Sequence, residues 1–299
     1  MELVTGENDE GRRLDRILRK ALPHHPLPLI HRLLRQGQVF INGKPAKAQD
    51  RVSCGVKISI PSLNDAPKTE SPAPSLPSPV IIWECPGLIA VNKPAGLTTC
   101  GAGSQAGPLS LDAMVRSFLA DKISPSLSFK PGPLHRLDKP SSGIVVFSTN
   151  IEGARLFSAL LREQKVRKTY LAVVEGKVEK EALWEDALVR DREMKKTFVS
   201  SDGKNAITKI KPLASKNNYS LVSAQIATGR THQIRTQAAA HGHPLAGDKK
   251  YGGQGKGGFF LHAWKLEFSE CRIEAPLPDA FKKKVSELFG IDIQSYLIS

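Results

Sequence analysis

The stretch His135-Arg136-Leu137-Asp138-Lys139-Pro140-Ser141-Ser142-Gly143 sets one carboxylate beside a cation and a tight turn, immediately ahead of the apolar run Ile144-Val145-Val146-Phe147. Pro140 has a fixed φ and Gly143 a permissive one. The segment therefore reads as a shaped loop entering a strand, where a rigid scaffold can hold a reactive side chain. A carboxylate held in that way can serve as a nucleophile. Taken alone, the same residues suit a turn cap or an Arg136 ion pair better than a reactive carboxylate.

Other chemistries lack the residues they need. His241-Gly242-His243 has no Cys or acidic cluster to complete a metal-ligand set. The loop Gly252-Gly253-Gln254-Gly255-Lys256-Gly257-Gly258 lacks the Ser or Thr and the following helix of a phosphate loop. It reads instead as a basic loop near a polyanion. The order His135-Arg136-Leu137-Asp138 transposes the kinase His-Arg-Asp, and no suitable glycine loop precedes it.

The elements that must position Asp138 fall into two unequal parts. Pro61, Pro67, Pro72, Pro74, Pro77 and Pro79 mark residues 61–79 as a semi-extended linker between domains at 1–60 and 80–299. In the first domain, Leu14, Ile17, Leu18, Ala21 and Leu22 recur at helical spacing, with Arg12, Arg13, Arg16, Arg19 and Lys20 around them. Leu29, Ile30, Leu33 and Leu34 form a second apolar stripe beside His31, Arg32 and Arg35, stopped by Gly37. Val39-Phe40-Ile41-Asn42-Gly43-Lys44 then predicts a hairpin with an Asn-Gly turn, and Val56, Ile58 and Ile60 a further strand.

The second domain mixes strands and helices. Strands are expected at 80–83, 88–91, 144–147, 170–174, 206–210, 221–226 and 259–268, and helices at 111–120, 152–164, 231–241 and 278–288. Helices interrupt the hairpins irregularly, which favours an α+β fold with a mainly antiparallel sheet.

The 299 residues carry 43 Lys and Arg against 29 Asp and Glu, a net charge of +14. That balance suits a polyanionic partner, with nucleic acid first, because neutralising phosphates releases counterions. Cys54, Cys85, Cys100 and Cys271 are scattered and form neither a disulfide framework nor a zinc ribbon. The acidic start, with no apolar run near the roughly 18 residues a membrane helix requires, predicts a cytoplasmic protein without membrane contact.

His135-Arg136-Leu137-Asp138-Lys139-Pro140-Ser141-Ser142-Gly143 resembles the HRLD-x-x-T-S-G signature of the RluA family of pseudouridine synthases, with Ser141 in place of the usual Thr. Ala90–Leu97, Lys168–Gly176, Thr228–Arg235, Pro244–Asp248 with Tyr251-Gly252, and Leu261-His262-Ala263 resemble further family motifs in the family's order. Residues 1–60 resemble the S4 RNA-binding domain, Val39-Phe40-Ile41-Asn42-Gly43 most of all.

The resemblance implies a pseudouridine synthase catalytic domain whose mixed sheet is cleft by the RNA site. It makes Asp138 the nucleophile and Arg235 its cationic partner. With a helix starting near Thr231, Thr231 and Arg235 share a face, and a bidentate guanidinium orders the carboxylate. Tyr170 is implied to stack on the uracil and to take part in proton transfer. Arg136 is implied to enter the helical stack and expel the target nucleotide. Lys93, Arg230 and His232 become candidates for phosphate or base contacts, or for holding loops. The S4 resemblance adds Arg32 and Arg35 as RNA contacts. No cofactor is implied, because the isomerisation is redox neutral. Large-subunit ribosomal RNA is the implied partner, transfer RNA the alternative, and a monomer the simplest state. Two other classes stay open: an RNA-binding protein without catalysis, and a glycoside-type hydrolase, which needs a second carboxylate that Asp248 is not placed to provide by sequence alone.

Overall fold

In the computed structural model, residues 1–63, 76–101, 109–255 and 258–297 are described. Most of the proline-rich segment, at 64–75, and Lys256 with Gly257 of the glycine-rich loop lie outside them.

The first unit is built from β1 (Glu2–Val4), α1 (Leu14–Ala21), α2 (Leu27–Arg35), β2 (Phe40–Ile41), β3 (Lys44–Pro45) and β4 (Lys57–Ser59). α1 buries Leu14, Ile17 and Leu18 and leaves Arg16, Arg19 and Lys20 exposed. These apolar residues meet Ile30, Leu33 and Leu34 of α2 and Val39 and Ile58 of the sheet, whose strand order is β1-β4-β2-β3. The Asn-Gly signal is realised: Asn42 and Gly43 both have positive φ, 46° and 80°, as a tight two-residue hairpin turn requires.

This unit is seated on the rest of the chain through Asp9. Its carboxylate accepts N–H donors from Gly6 and Leu127 at 2.9 Å each and from Ser128 at 3.0 Å, with the Ser126 and Ser128 hydroxyls completing the set. Burial raises the Asp9 pKa, but those donors outweigh it and leave the carboxyl below its ordinary value. Asn8 Oδ1 also accepts the Ile151 N–H.

The larger unit runs β5 (Ile81–Cys85), β6 (Leu88–Lys93), α3 (Leu111–Leu119), β7 (Gly132–Pro133), β8 (Ser142–Ser148), α4 (Ile151–Arg162), β9 (Arg167–Glu175), β10 (Ala182–Asp191), β11 (Lys196–Val199), β12 (Lys204–Lys216), β13 (Tyr219–Ile226), α5 (Gln233–Ala240), β14 (Leu261–Phe268), β15 (Cys271–Glu274), α6 (Asp279–Phe289) and α7 (Ile293–Leu297). Its eleven strands form one sheet in the order β11-β10-β12-β13-β9-β14-β8-β6-β5, with β15 on β14 and β7 on β8. Every pairing is antiparallel except β8 with β14. At that parallel contact a Cβ on Gly143 would stand 2.2 Å from the Ala263 carbonyl oxygen. Gly143 also has φ +110°, so only glycine lets the two strands close behind the Asp138 loop.

β6 and β8 are buried on both faces, which explains the unbroken apolar run after the loop. Val145 and Phe147 pack with Leu111 and Val115 of α3, while Ile144 and Val146 pack with Phe157 of α4. β10 and β11 were not expected from sequence: β10 buries only Trp184 and Leu188, too few for a strand pattern to stand out. The expected helix at 231–241 begins later, at Gln233, because His232 takes the left-handed conformation, φ 55°. No helix among the described residues is long and apolar enough to cross a membrane.

Candidate active site

The Asp138 loop is tied down at several points. Thr99 Oγ1 donates to the Leu137 carbonyl at 3.1 Å and accepts the Leu137 N–H at 3.2 Å. The Ser141 N–H closes a turn onto the Asp138 carbonyl. His135 Nε2 accepts the Val146 N–H at 3.1 Å, so the ring serves as an acceptor in the neutral form. Burial, and then the nearby Lys168 charge, push its pKa down to about 3. Lys93 supplies a further tie. It is fully buried, and its Nζ donates to the carbonyls of Leu97 (2.8 Å), Pro94 (3.0 Å) and Lys139 (3.3 Å). The expectation that Lys93 contacts RNA is therefore corrected: its ammonium is spent on backbone oxygens beneath the loop.

Arg235 reaches the loop from α5. Its Nη1 donates to Asp138 Oδ2 at 3.0 Å, while Nε and Nη2 form a two-pronged contact with Asp248 at 2.7 and 2.9 Å. The bidentate pairing expected for Asp138 thus belongs to Asp248, whose side chain is 2% exposed and needs both donors. Burial lowers the Arg235 pKa, but Asp248 and then Asp138 outweigh it and raise it. The guanidinium carbon lies 4.5 Å from the Phe259 ring centroid and 5.0 Å from that of Tyr251, so the cation also contacts two aromatic rings. Thr231 does not share a helical face with Arg235, because it precedes the left-handed His232.

One oxygen of Asp138 is consequently pinned and the other is open. Oδ1 lies 3.7 Å from His232 Nε2, beyond hydrogen-bonding range. The His232 Nδ1 receives Arg190 Nη1, which can only donate, at 3.3 Å, and lies 2.7 Å from the Tyr251 hydroxyl. Nδ1 is therefore the unprotonated nitrogen, and Nε2–H faces the carboxylate. Burial chiefly lowers the His232 pKa to about 4.

Tyr170, Asp138, Ser141 and Arg235 line a recess of about 60 Å³ that opens into an outer chamber of about 370 Å³. Tyr170 stands on β9 between Ala224 of β13 and Ala263 of β14, small neighbours that leave its ring facing the recess. Burial first and the Asp138 charge second push its phenol pKa well above the ordinary value, so it stays protonated. The Ser141 hydroxyl is buried without a hydrogen-bond partner. Arg136, Arg230 and Lys168 line the outer chamber with His135 and His232. Arg32 and Arg35 are exposed on α2, outside the residues that line the cleft.

The cleft thus gathers Asp138, Tyr170, Arg235, Arg136, Arg230 and His232 from three separate sequence motifs. Residues 87–240 match the family model described as RNA pseudouridylate synthase. The chain belongs to that family. It is an RNA pseudouridine synthase, an isomerase, and its residues 12–58 match the S4 domain. Among its relatives, the ribosomal large subunit pseudouridine synthase D of Neisseria meningitidis serogroup A is 33% identical over 297 residues, covering 90% of this synthase and 76% of the relative. The corresponding synthase C of Vibrio vulnificus is 30% identical over 306 residues, covering 94% of each chain. The solved human RNA pseudouridylate synthase domain containing 4 shares the fold at a TM-score of 0.59, with 20% identity, over 70% of this synthase and 92% of that chain.

Sequence reasoning about the synthase missed Asp248, Tyr251 and Lys168 as cleft residues. The first two stand in motifs that had been noticed, Pro244–Asp248 and Tyr251-Gly252, but nothing in a linear reading aims them at Arg235. Lys168 carried a signal that went unused: it lies two residues before Tyr170 on one strand, so both project from the same face.

Proposed function

We propose that this synthase isomerises uridines of large-subunit ribosomal RNA, with Asp138 as the nucleophile. The observation that carries the reading is the asymmetry of that carboxylate: one oxygen bonded to Arg235 at 3.0 Å, the other without a hydrogen bond at a recess that Asp138 lines. Isomerisation breaks the bond from N1 to C1′, turns the base, forms a bond from C5 to C1′, and exchanges the proton lost from C5 for one gained at N1. A fixed carboxylate with one free oxygen suits such a sequence, because Arg235 holds it oriented by one oxygen while Oδ1 attacks.

Tyr170, protonated and at the recess wall, stacks on the uracil and shares in the proton movement. Arg136, exposed at the chamber rim, takes the place of the expelled nucleotide in the RNA stack. Arg230 and His232 hold the nucleotide's backbone or base edge, and Arg32 and Arg35 hold the RNA outside the cleft. The ribosomal target rests on the names of the relatives, which are ribosomal large subunit synthases. The reading divides the chain into an S4-like domain at 1–60, a linker at 61–79 and a catalytic domain at 80–299, acting as a monomer in the cytoplasm.

The test is a pseudouridine map of total RNA by carbodiimide labelling and reverse transcription, from cells with the intact gene, a deletion or Asp138→Asn. Positions in large-subunit ribosomal RNA lost in both the deletion and the variant are expected. Identical maps, with the protein expressed, would sink the proposal, and loss confined to transfer RNA would reassign the substrate.

A further inference from the structure

The outer chamber contains a cation with no counter-charge. Lys168 is half-buried in the chamber wall, and its ammonium makes no hydrogen bond or ion pair with any described residue. Its ammonium rests against the loop at Gly229, where an added Cβ would stand 3.4 Å from Nζ. Only burial acts on its pKa, which is lowered, and no carboxylate offsets it. The contrast with Lys93 is instructive: that buried ammonium has three carbonyl acceptors and the Asp138 charge in its favour.

Burying a charge without a partner is costly, and such groups are retained where a ligand completes them. Arg136 and Arg230 share the chamber, and its one carboxylate, Asp138, is already engaged by Arg235. A neutral base edge would accept a hydrogen bond but leave this excess of positive charge in place. An anion would remove it. Lys168 also sits two residues from Tyr170 on the same strand face, about 7 Å along β9, the scale of one nucleotide. We propose that Lys168 binds the phosphodiester flanking the target uridine, seating the backbone in the outer chamber while the base enters the recess. The inference rests on the RNA synthase reading and assigns the chamber wall a distinct task within it.

The test uses full-length protein and a large-subunit ribosomal RNA transcript assembled by splinted ligation, with one neutral methylphosphonate 5′ or 3′ of the mapped uridine. Binding is measured by filter retention, conversion by tritium release from C5. Lys168→Ala is expected to weaken binding about tenfold or more, as loss of a hydrogen bond to a charged group does, and to lower the salt slope by about 1. Lys168→Arg is expected to restore most of that binding. One of the two neutral linkages should weaken the wild type by the same factor and leave Lys168→Ala unaffected. The melting temperature of Lys168→Ala should hold or rise, since an unpaired buried charge has been removed. Wild-type affinity in Lys168→Ala, or equal weakening of both proteins by each neutral linkage, would overturn the inference. Because binding is scored apart from conversion, a wild type that binds but does not convert bears on the uridine target alone, and Lys168 stands or falls on the binding cycle.

Discussion

The inner recess and the outer chamber share Asp138, Tyr170, Arg136, Arg230 and His232, yet they treat charge in opposite ways. In the recess, Arg235 is matched by two carboxylates, in contact with two rings and 7% exposed. In the chamber, Arg136, Arg230 and Lys168 meet no carboxylate of their own among the described residues. The difference follows from what each region must do. A reacting group gains from a geometry settled before substrate arrives, which requires its charges to be paired by the protein. A binding wall gains from charges that the ligand completes, which requires them to be left open until then.

Replacing Asp138 with Asn should bear most heavily on this division, lowering kcat by about 10⁴-fold or more while RNA binding persists, as removal of a nucleophile does. Tritium release and filter binding on one preparation would show the split. If binding fell as far as turnover, the recess would not be a separate compartment. Next in size is Asp248→Ala, which leaves a buried guanidinium with one carboxylate and should cost about 3–5 kcal/mol of stability, read by urea denaturation, with kcat reduced as Asp138 loses its fixed partner. A surface-like loss below about 1 kcal/mol would show that the fork is ornamental. Arg136→Ala should lower kcat/KM about tenfold to a hundredfold with no loss of melting temperature, since no described residue hydrogen-bonds that side chain.

The chamber wall also predicts an acid limit. His135, near 3, and His232, near 4, sit below the ordinary histidine value of about 6.5. Between those values the unfolded chain takes up protons that the native state refuses, so stability rises with pH. The contribution is whole above about pH 6.5 and is lost as pH falls toward 3 to 4. Thermal melts from pH 4 to 7 should slope upward, and His135→Leu should flatten the slope. The smallest expected effect is on Arg32 and Arg35, which line neither compartment: changing both to Ala should weaken RNA binding severalfold and reduce the salt slope by about 2.

Much of the fold was legible because its signals are local. The Asn42-Gly43 turn, the apolar stripes of α1 and α2, and the loop-to-strand step from Asp138 into β8 each depend on neighbours within a few residues. β10 was not, because a strand with two buried side chains carries almost no period. At the site, the pairing of Asp138 with Arg235 followed from family resemblance, whereas the role of Asp248 did not. Lys93 stayed open between an RNA contact and a loop tie for a related reason: a lysine's sequence context does not reveal whether carbonyl oxygens from Leu97 and Lys139 will surround it.

The sequence by itself determined the chemical inventory, a carboxylate on a shaped loop, a tyrosine on a strand and an arginine on a helix, since residue type and short-range pattern settle those. Only the tertiary structure decided which charges are spent and which are free. Burial and Coulomb energy depend on distances between atoms, and Asp138 and Asp248 come within 3 Å of Arg235's donors only when the Asp138 loop, α5 and the loop before β14 are brought together.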